Sequence, residues 1–350
     1  MKKETPSFSY NLPRENIALY PASPRHLSRL MVVDLSSFKI SHRKFKDITD
    51  YLESPDKIVI NNSRVICARL KGRKSTGGKA EFLLLEKKDN LWKAYGKPVS
   101  RLREGMKIKI KSPRGDCEAV KIINKLDGGI FFLQAPEDIL KYGYIPLPPY
   151  IVSRRDLRTG DYADYQTNFA QVDGSVASST ASLHFSKELT GKLKEKGVSF
   201  VPVTLHIGPG TFKPDYDIPD PEKYEFSPDS AGKLNGPGRI CACGTTVIRT
   251  LETVYSGGKY KSSRGETNIF ITPGRKFSPI SLFLTNFHLP GTPLLLMVAA
   301  FIEQYYPGRG RELTLNLYRE ALDKNYRFLS YGDAMLLIGD PDGLGAKKDV

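Results

Sequence analysis

Between residues 63 and 149 the chain alternates polar and apolar residues in short bursts: EFLLLEK, LWKAYGK, MKIKIK, CEAVKII and GIFFLQ. Gly, Pro and Asp-Gly turns separate them. A period of two gives each run one buried and one exposed face, and five such runs in a row predict a small antiparallel β-barrel. The block ends at the proline-rich IPLPPYI, which reads as a linker. From residue 151 onward the pattern is mixed α/β. A helix is predicted over Ser186 to Gly197, with Ser186 as cap and Gly197 as stop. Strands are predicted near 198–207, 239–243 and 268–272, and helices near Thr245–Tyr255, Pro293–Gln304 and Arg311–Tyr326. Residues 1–62, with apolar runs at Leu30–Asp34 and Lys57–Asn61, fit the same domain. The expectation is a mixed-sheet α/β main domain, 1–62 and 150–350, with a basic β-barrel domain, 63–149, inserted into it.

The net charge of +15 is unevenly placed. From Arg64 to Lys141 there are 19 Lys and Arg against 9 Asp and Glu, a balance of +10 in under a quarter of the chain. A basic surface attracts phosphate backbones through counterion release. A lysine-rich solubilising surface is the competing reading. No apolar run is long enough to span a membrane, and the N-terminal residues lack the apolar core of a secretory signal. Cys67, Cys117, Cys241 and Cys243 lack zinc-type spacing. The chain reads as cytoplasmic, with no metal and no membrane partner; its oligomeric state stays open.

Three of the five histidines fall at strand or loop ends in the C-terminal half. VTLHIGPGTF (Val203–Phe212) is a strand running into a Gly-Pro-Gly turn, with His206 at its exit and Thr211 beyond. GSVASSTASLHF ends near His184. LTNFHLPGTP carries Asn286 and His288 ahead of an apolar helix. ICACGTTVIRTLE places Thr245 and Thr246 at a strand-to-helix junction, with Arg249 one turn later, and SYGDAM carries Asp333. Strand ends of this kind are where α/β proteins assemble their sites. Each residue also has a bland reading: a satisfied turn histidine, a helix cap, a turn-forming aspartate.

Taken together these segments resemble the S-adenosylmethionine:tRNA ribosyltransferase-isomerases of queuosine biosynthesis. The likeness also takes in YNLPRENIALYPASPRHLSRLMVVD, NNSRVICARLKGRKSTGGKAEFLLL, PLPPYI and YQTNFA, and so runs nearly end to end. The resemblance implies an enzyme that moves the ribosyl part of S-adenosylmethionine onto a 7-aminomethyl-7-deazaguanine base in tRNA. It rearranges the ribose to an epoxycyclopentane and releases adenine and methionine. No cofactor is implied beyond that co-substrate. A base that takes a proton beside the sulfonium, and an acid for the departing adenine, suit histidine near neutral pH. His206, His184 and His288 are therefore the catalytic candidates. Tyr165, Gln166, Thr211, Thr245, Thr246, Arg249, Asn286 and Asp333 are candidate substrate contacts. Arg64, Arg69, Arg73, Lys74 and Lys79 are candidate tRNA contacts, with Arg29 a further possibility of the same kind.

Several segments depart from the family pattern. Where relatives carry His-x-Met-His-x-Glu this chain reads DPEKYE, so Asp220 and Lys223 occupy the histidine positions. Ser179 and Ser182 replace a proline and a glycine. Val247 stands where a hydroxyl is usual, Asn62 replaces an aspartate, and Gly291, Thr292 and Pro293 follow NFHLP where a basic residue, Ser and Thr are usual. These changes motivate two alternatives: a divergent paralogue acting on another acceptor, and a non-catalytic RNA-binding relative.

Overall fold

The structure, a computed structural model, describes residues 8–212 and 220–341, with residues 211 and 212 by backbone alone. Nine strands form one mixed sheet. From edge to edge they are Ser263–Thr267, Glu222–Phe226, Ser199–Leu205, Lys57–Asn61, Ile240–Cys243, Leu282–Asn286, Ala334–Ile338, Arg29–Asp34 and Lys39–Lys44. The four strands from Ser199–Leu205 to Leu282–Asn286 are mutually parallel. The last three of these are buried on both faces, which is why KIVIN, ICAC and LFLTN read as continuous apolar runs, whereas Ser199–Leu205 alternates. In the Arg29–Asp34 strand the two faces separate: Met31 and Val33 pack into one core cluster, Leu30 and Val32 into the other.

The helices Thr245–Val254, Pro293–Glu303 and Gly310–Asp323 cover the first face. The helix Lys187–Glu195 covers the second, and the Ser186 hydroxyl accepts from the Leu189 amide at its start, the cap its sequence predicts. The strand expected near 268–272 is displaced: pairing ends at Thr267, and residues 268–272 run on without a ladder partner.

The basic block closes into a barrel of six strands rather than five, in the order Ile130–Gln134, Leu91–Lys97, Lys79–Lys88, Arg69–Lys74, Lys107–Lys111, Cys117–Leu126. The missed strand is RLKGRK. Its apolar content is too low to show a period, yet register with two neighbours makes it part of the wall. Leu70, Phe82, Leu84, Ile108, Ile110, Phe131 and Leu133 fill the interior.

The barrel departs from the sheet just after Asn61, at the C-terminal end of a central parallel strand. It therefore hangs over the edge where α/β folds place ligands. The IPLPPYI segment is not a loose linker. Ile145, Leu147 and Ile151 are fully buried beside Tyr165 and Tyr331, and Pro149 opens a short helix through Val152. Among the described residues no helix is long and apolar enough to cross a membrane.

Candidate active site

Two cavities meet at the C-terminal ends of the parallel strands. The first is lined by residues that immediately follow three of them: Ile207, Gly244–Thr246 and Asn286–His288. Tyr150, Tyr165, Ser178, Ser179 and Arg249 complete much of its wall. At its floor the helix Thr245–Val254 begins without any side-chain cap, because its N-cap residue is Gly244. Gly244 holds φ at 98°, a conformation costly for any residue with a Cβ. The uncapped amides of this first turn carry the positive end of the helix dipole and suit a carboxylate.

The hydrogen-bond accounting points the same way. Nine buried side-chain polar atoms among the described residues have no partner. Five of them, Ser178 Oγ, Ser179 Oγ, Thr246 Oγ1, Arg249 Nε and Asn286 Oδ1, belong to residues that line this one cavity. Each orphaned buried group costs about 1–3 kcal/mol, so such a concentration marks a place where a polar ligand completes the network.

The second cavity lies between barrel and sheet. Barrel residues Ile66, Glu86, Trp92, Tyr95 and Ile130 face Asp173, Gly174, His206, Asp220, Glu222 and Lys223. Ile207 lines both cavities, so the strand exit His206–Gly208 is the wall between them.

His206 sits on that wall. Its amide donates to the Lys223 carbonyl (2.9 Å), and its Nδ1 meets the Ser63 hydroxyl at 2.8 Å. Gly174 runs so close that a Cβ there would lie 2.5 Å from the ring, so only glycine lets the ring take this place. Burial, helped by the nearby Lys223 ammonium, pushes the imidazole pKa below its ordinary value. The ring is therefore the neutral, proton-accepting form near pH 7. Removing the ammonium should relax that effect. Lys223→Gln is expected to move the acidic limb of the kcat/KM pH profile to higher pH, because a less depressed imidazole protonates earlier as pH falls. An unmoved limb would detach His206 from the rate.

The other histidines are placed differently. His288 lines the first cavity, with Nε2 on the Thr285 hydroxyl (2.9 Å), its amide donating to the Tyr318 oxygen and its carbonyl accepting from the Tyr10 hydroxyl. Burial pushes its pKa down to about 3. His184 does not reach either cavity. It is buried, stacked on Phe45, with Nδ1 on Ser28 Oγ and Nε2 facing Asn286 Nδ2. Burial, with Arg327 and Arg25 nearby, holds its pKa at about 3. With both ring nitrogens engaged it orients Asn286.

Among the remaining candidates, Tyr165, Thr245, Thr246, Arg249 and Asn286 converge on the first cavity. Gln166 does not. Its amide clamps the Val65 backbone through both its oxygen and its nitrogen. Asp333 also turns inward, accepting from the Arg29 and Arg327 amides and the Arg327 guanidinium. The carboxylate thereby fixes a loop rather than a ligand. The Thr211 side chain lies outside the described residues. Arg249 is already paired: its guanidinium binds Glu222 and the Thr267 carbonyl, while Glu222 also accepts from the Gly208 amide at 2.7 Å. Its Nε has no partner among the described residues.

Asp220 and Lys223, at the positions of the family's histidine pair, both line the second cavity. Lys223 forms an ion pair with Glu86 of the barrel, tying the two domains across the cavity. Sequence reading passed over Tyr150, Glu222 and Trp92. For Glu222 a signal existed: in EKYEF the buried positions are the first and last, so the strand period puts Glu222 inward with Phe226.

Parallel strand ends, a cavity ringed by unpaired polar atoms at an uncapped helix start and a second cavity under the barrel define the site of an α/β enzyme with two adjoining cavities. Residues 5–337 match the family described as "Queuosine biosynthesis protein". The S-adenosylmethionine:tRNA ribosyltransferase-isomerase of Aquifex aeolicus is 43% identical over 95% of this chain and 98% of its own length. The protein of the same name from Clostridioides difficile is 42% identical, over 95% and 99%. A crystal structure of S-adenosylmethionine tRNA ribosyltransferase from Thermotoga maritima superposes with a TM-score of 0.55 at 33% identity, covering 95% of this chain and 99% of that one. The chain belongs to the queuosine biosynthesis protein family, and like these relatives it is an enzyme.

Proposed function

We propose that this enzyme transfers and isomerises the ribosyl moiety of S-adenosylmethionine onto 7-aminomethyl-7-deazaguanine in tRNA, giving epoxyqueuosine-tRNA with release of adenine and methionine. The observation that supports it most is the cluster of five orphaned polar atoms around one cavity beside an uncapped helix start. That cavity suits the donor. The helix amides and Thr246 meet the methionine carboxylate, Ser178, Ser179 and Asn286 meet ribose or adenine polar atoms, and Tyr150 and Tyr165 offer π faces to the sulfonium. His206, on the wall toward the second cavity, is the proton-transfer group, and His288, neutral at its lowered pKa, lines the donor side as a hydrogen-bonding ring. The family comparisons favour this activity over a different acceptor or a non-catalytic RNA-binding role, despite Asp220 and Lys223.

The test is incubation of the chain with S-adenosylmethionine and tRNA carrying the deazaguanine base. Adenine should appear in step with the modified tRNA. No adenine release would overturn the activity, and equal release with the free base would move the acceptor away from tRNA.

The tRNA backbone falls to the barrel's outer face. Lys79, Arg73 and Lys109 stand directly opposite one another on three adjacent strands, and Lys107 opposes Lys121 on the next. All five are exposed. Like charges in register cost stability, so such a row is suited to a polyanion. Lys74 lies at the same hairpin, with its ammonium toward the Arg101 carbonyl. Arg69 belongs inside the wall, paired with Glu81 and the Leu147 carbonyl, and Arg64 pairs with Asp173. Replacing Arg73, Lys79 and Lys109 with Glu should raise the Kd for tRNA at least tenfold and flatten its salt dependence, leaving donor affinity unchanged. Unaltered tRNA affinity would remove this face from the interaction.

A further inference from the structure

The cavity between barrel and sheet is built unlike the donor cavity. Its wall carries the only tryptophan of the chain, Trp92, at the start of the barrel strand Leu91–Lys97. The indole is 8% exposed and its N–H has no hydrogen-bond partner among the described residues. A buried indole N–H without an acceptor is uncommon, since tryptophan usually finds one. The cavity as a whole carries five carboxylates, Glu86 from the barrel and Asp173, Asp220, Glu222 and Glu266 from the sheet side, against three lysines, Lys87, Lys93 and Lys223. That balance is acidic, and it comes from the sheet side, opposite a barrel whose outer face is strongly basic. The barrel therefore offers phosphate-binding charge outside, and the sheet side of the cavity offers amine-binding charge.

We propose that this cavity holds the acceptor's base, swung out of the tRNA and stacked on Trp92, with its aminomethyl group on the acidic side beside His206. The inference rests on the activity proposed above and adds where the acceptor sits and which residue grips it. A base that reacts must leave its stack, and proteins receive such bases on aromatic faces with polar groups at the edge. The indole supplies the face, and its unpaired N–H supplies a donor for a carbonyl on the base. The ammonium of the aminomethyl group meets carboxylates, and His206 in its neutral form takes a proton from it. Ile207 is common to both cavities, so the acceptor amine and the donor ribose face each other across a single residue. Trp92 is a binding residue in this arrangement, and Lys223 and Glu86 close the cavity over the base.

Because Trp92 is the sole tryptophan, its fluorescence reports on this cavity alone. Titrating the full chain with deazaguanine-modified tRNA should quench the emission, whereas S-adenosylmethionine alone should leave it unchanged. Base–aromatic stacking contributes about 1–3 kcal/mol per base, which sets the expected loss. Trp92→Ala should raise KM for modified tRNA about tenfold to a hundredfold while KM for S-adenosylmethionine stays within about twofold. Trp92→Phe, which keeps a ring, should recover most of the affinity. Trp92→Leu serves in place of alanine if the smaller residue leaves the barrel unfolded by circular dichroism. Emission that ignores modified tRNA, or a folded ring-less variant with unchanged KM for tRNA, would overturn the proposal. Adenine release by the unaltered chain separates the two readings. Normal release with a silent Trp92 overturns only the base site, and absent release overturns the activity itself.

Discussion

His206→Ala is expected to lower turnover by about two to four orders of magnitude, the usual range for losing a general acid or base. The chain should remain folded. The ring contributes a contact with Ser63 and packing on Gly174, but the strand beneath it is held by its ladder to Lys57–Asn61. Single-turnover adenine release measures the chemical step without product release, and circular dichroism checks the fold. A folded variant with near-normal release would pass the proton transfer to His288. Ser63→Ala offers a graded companion. It frees Nδ1 and unfixes the ring, so a partial loss is expected, smaller than that of His206→Ala. Equal rates for Ser63→Ala and the unaltered chain would mean that the ring needs no such guide.

Arg249→Leu is expected to destabilise the chain by about 3–5 kcal/mol, because it leaves the Glu222 carboxylate buried without its cation. The side chains of both partners are more than nine-tenths buried. Glu222 lines the barrel-side cavity and Arg249 the first cavity, so the pair crosses the wall on which His206 stands. Glu222 also holds the Gly208 amide, which fixes the turn after His206. Loss of either partner should therefore lower both stability and turnover. Replacing both, as Glu222→Leu with Arg249→Leu, should recover much of the stability but not the activity, since an apolar pair can fill the volume without holding the turn. Urea denaturation of the four chains gives the coupling energy. Additive losses, with no recovery in the double variant, would show that the pair is not coupled.

The substituted histidine positions gain a physical role from the tertiary structure. In the sequence, a lysine and an aspartate in place of two imidazoles motivate a divergent paralogue or a non-catalytic relative. In the folded chain Lys223 neutralises Glu86 across the domain junction and lowers the pKa of His206. The first effect needs the barrel docked against the sheet, whereas the second needs only the antiparallel pairing of Ser199–Leu205 with Glu222–Phe226.

Much of the architecture is written locally. Period-two alternation announced the barrel, continuous apolar runs announced the buried parallel strands, and Ser186 and Gly197 bracketed their helix, because each depends on neighbours a few residues apart. Local pattern also placed Thr245, Thr246, Asn286 and His288 at strand ends, where they line the donor cavity. It could not tell His184 from His288. Both follow apolar runs, yet one ring is sealed between Ser28, Asn286 and Phe45 while the other faces the cavity. Nor could it see that Asp333 and Gln166 are consumed by backbone groups far along the chain, or that Glu222 and Arg249, 27 residues apart, share one buried pair. Burial and partner choice are set by contacts between distant segments. Composition and spacing thus determined the folds of the parts and the chemistry on offer, and the docking of barrel on sheet decided which side chains remain for a substrate.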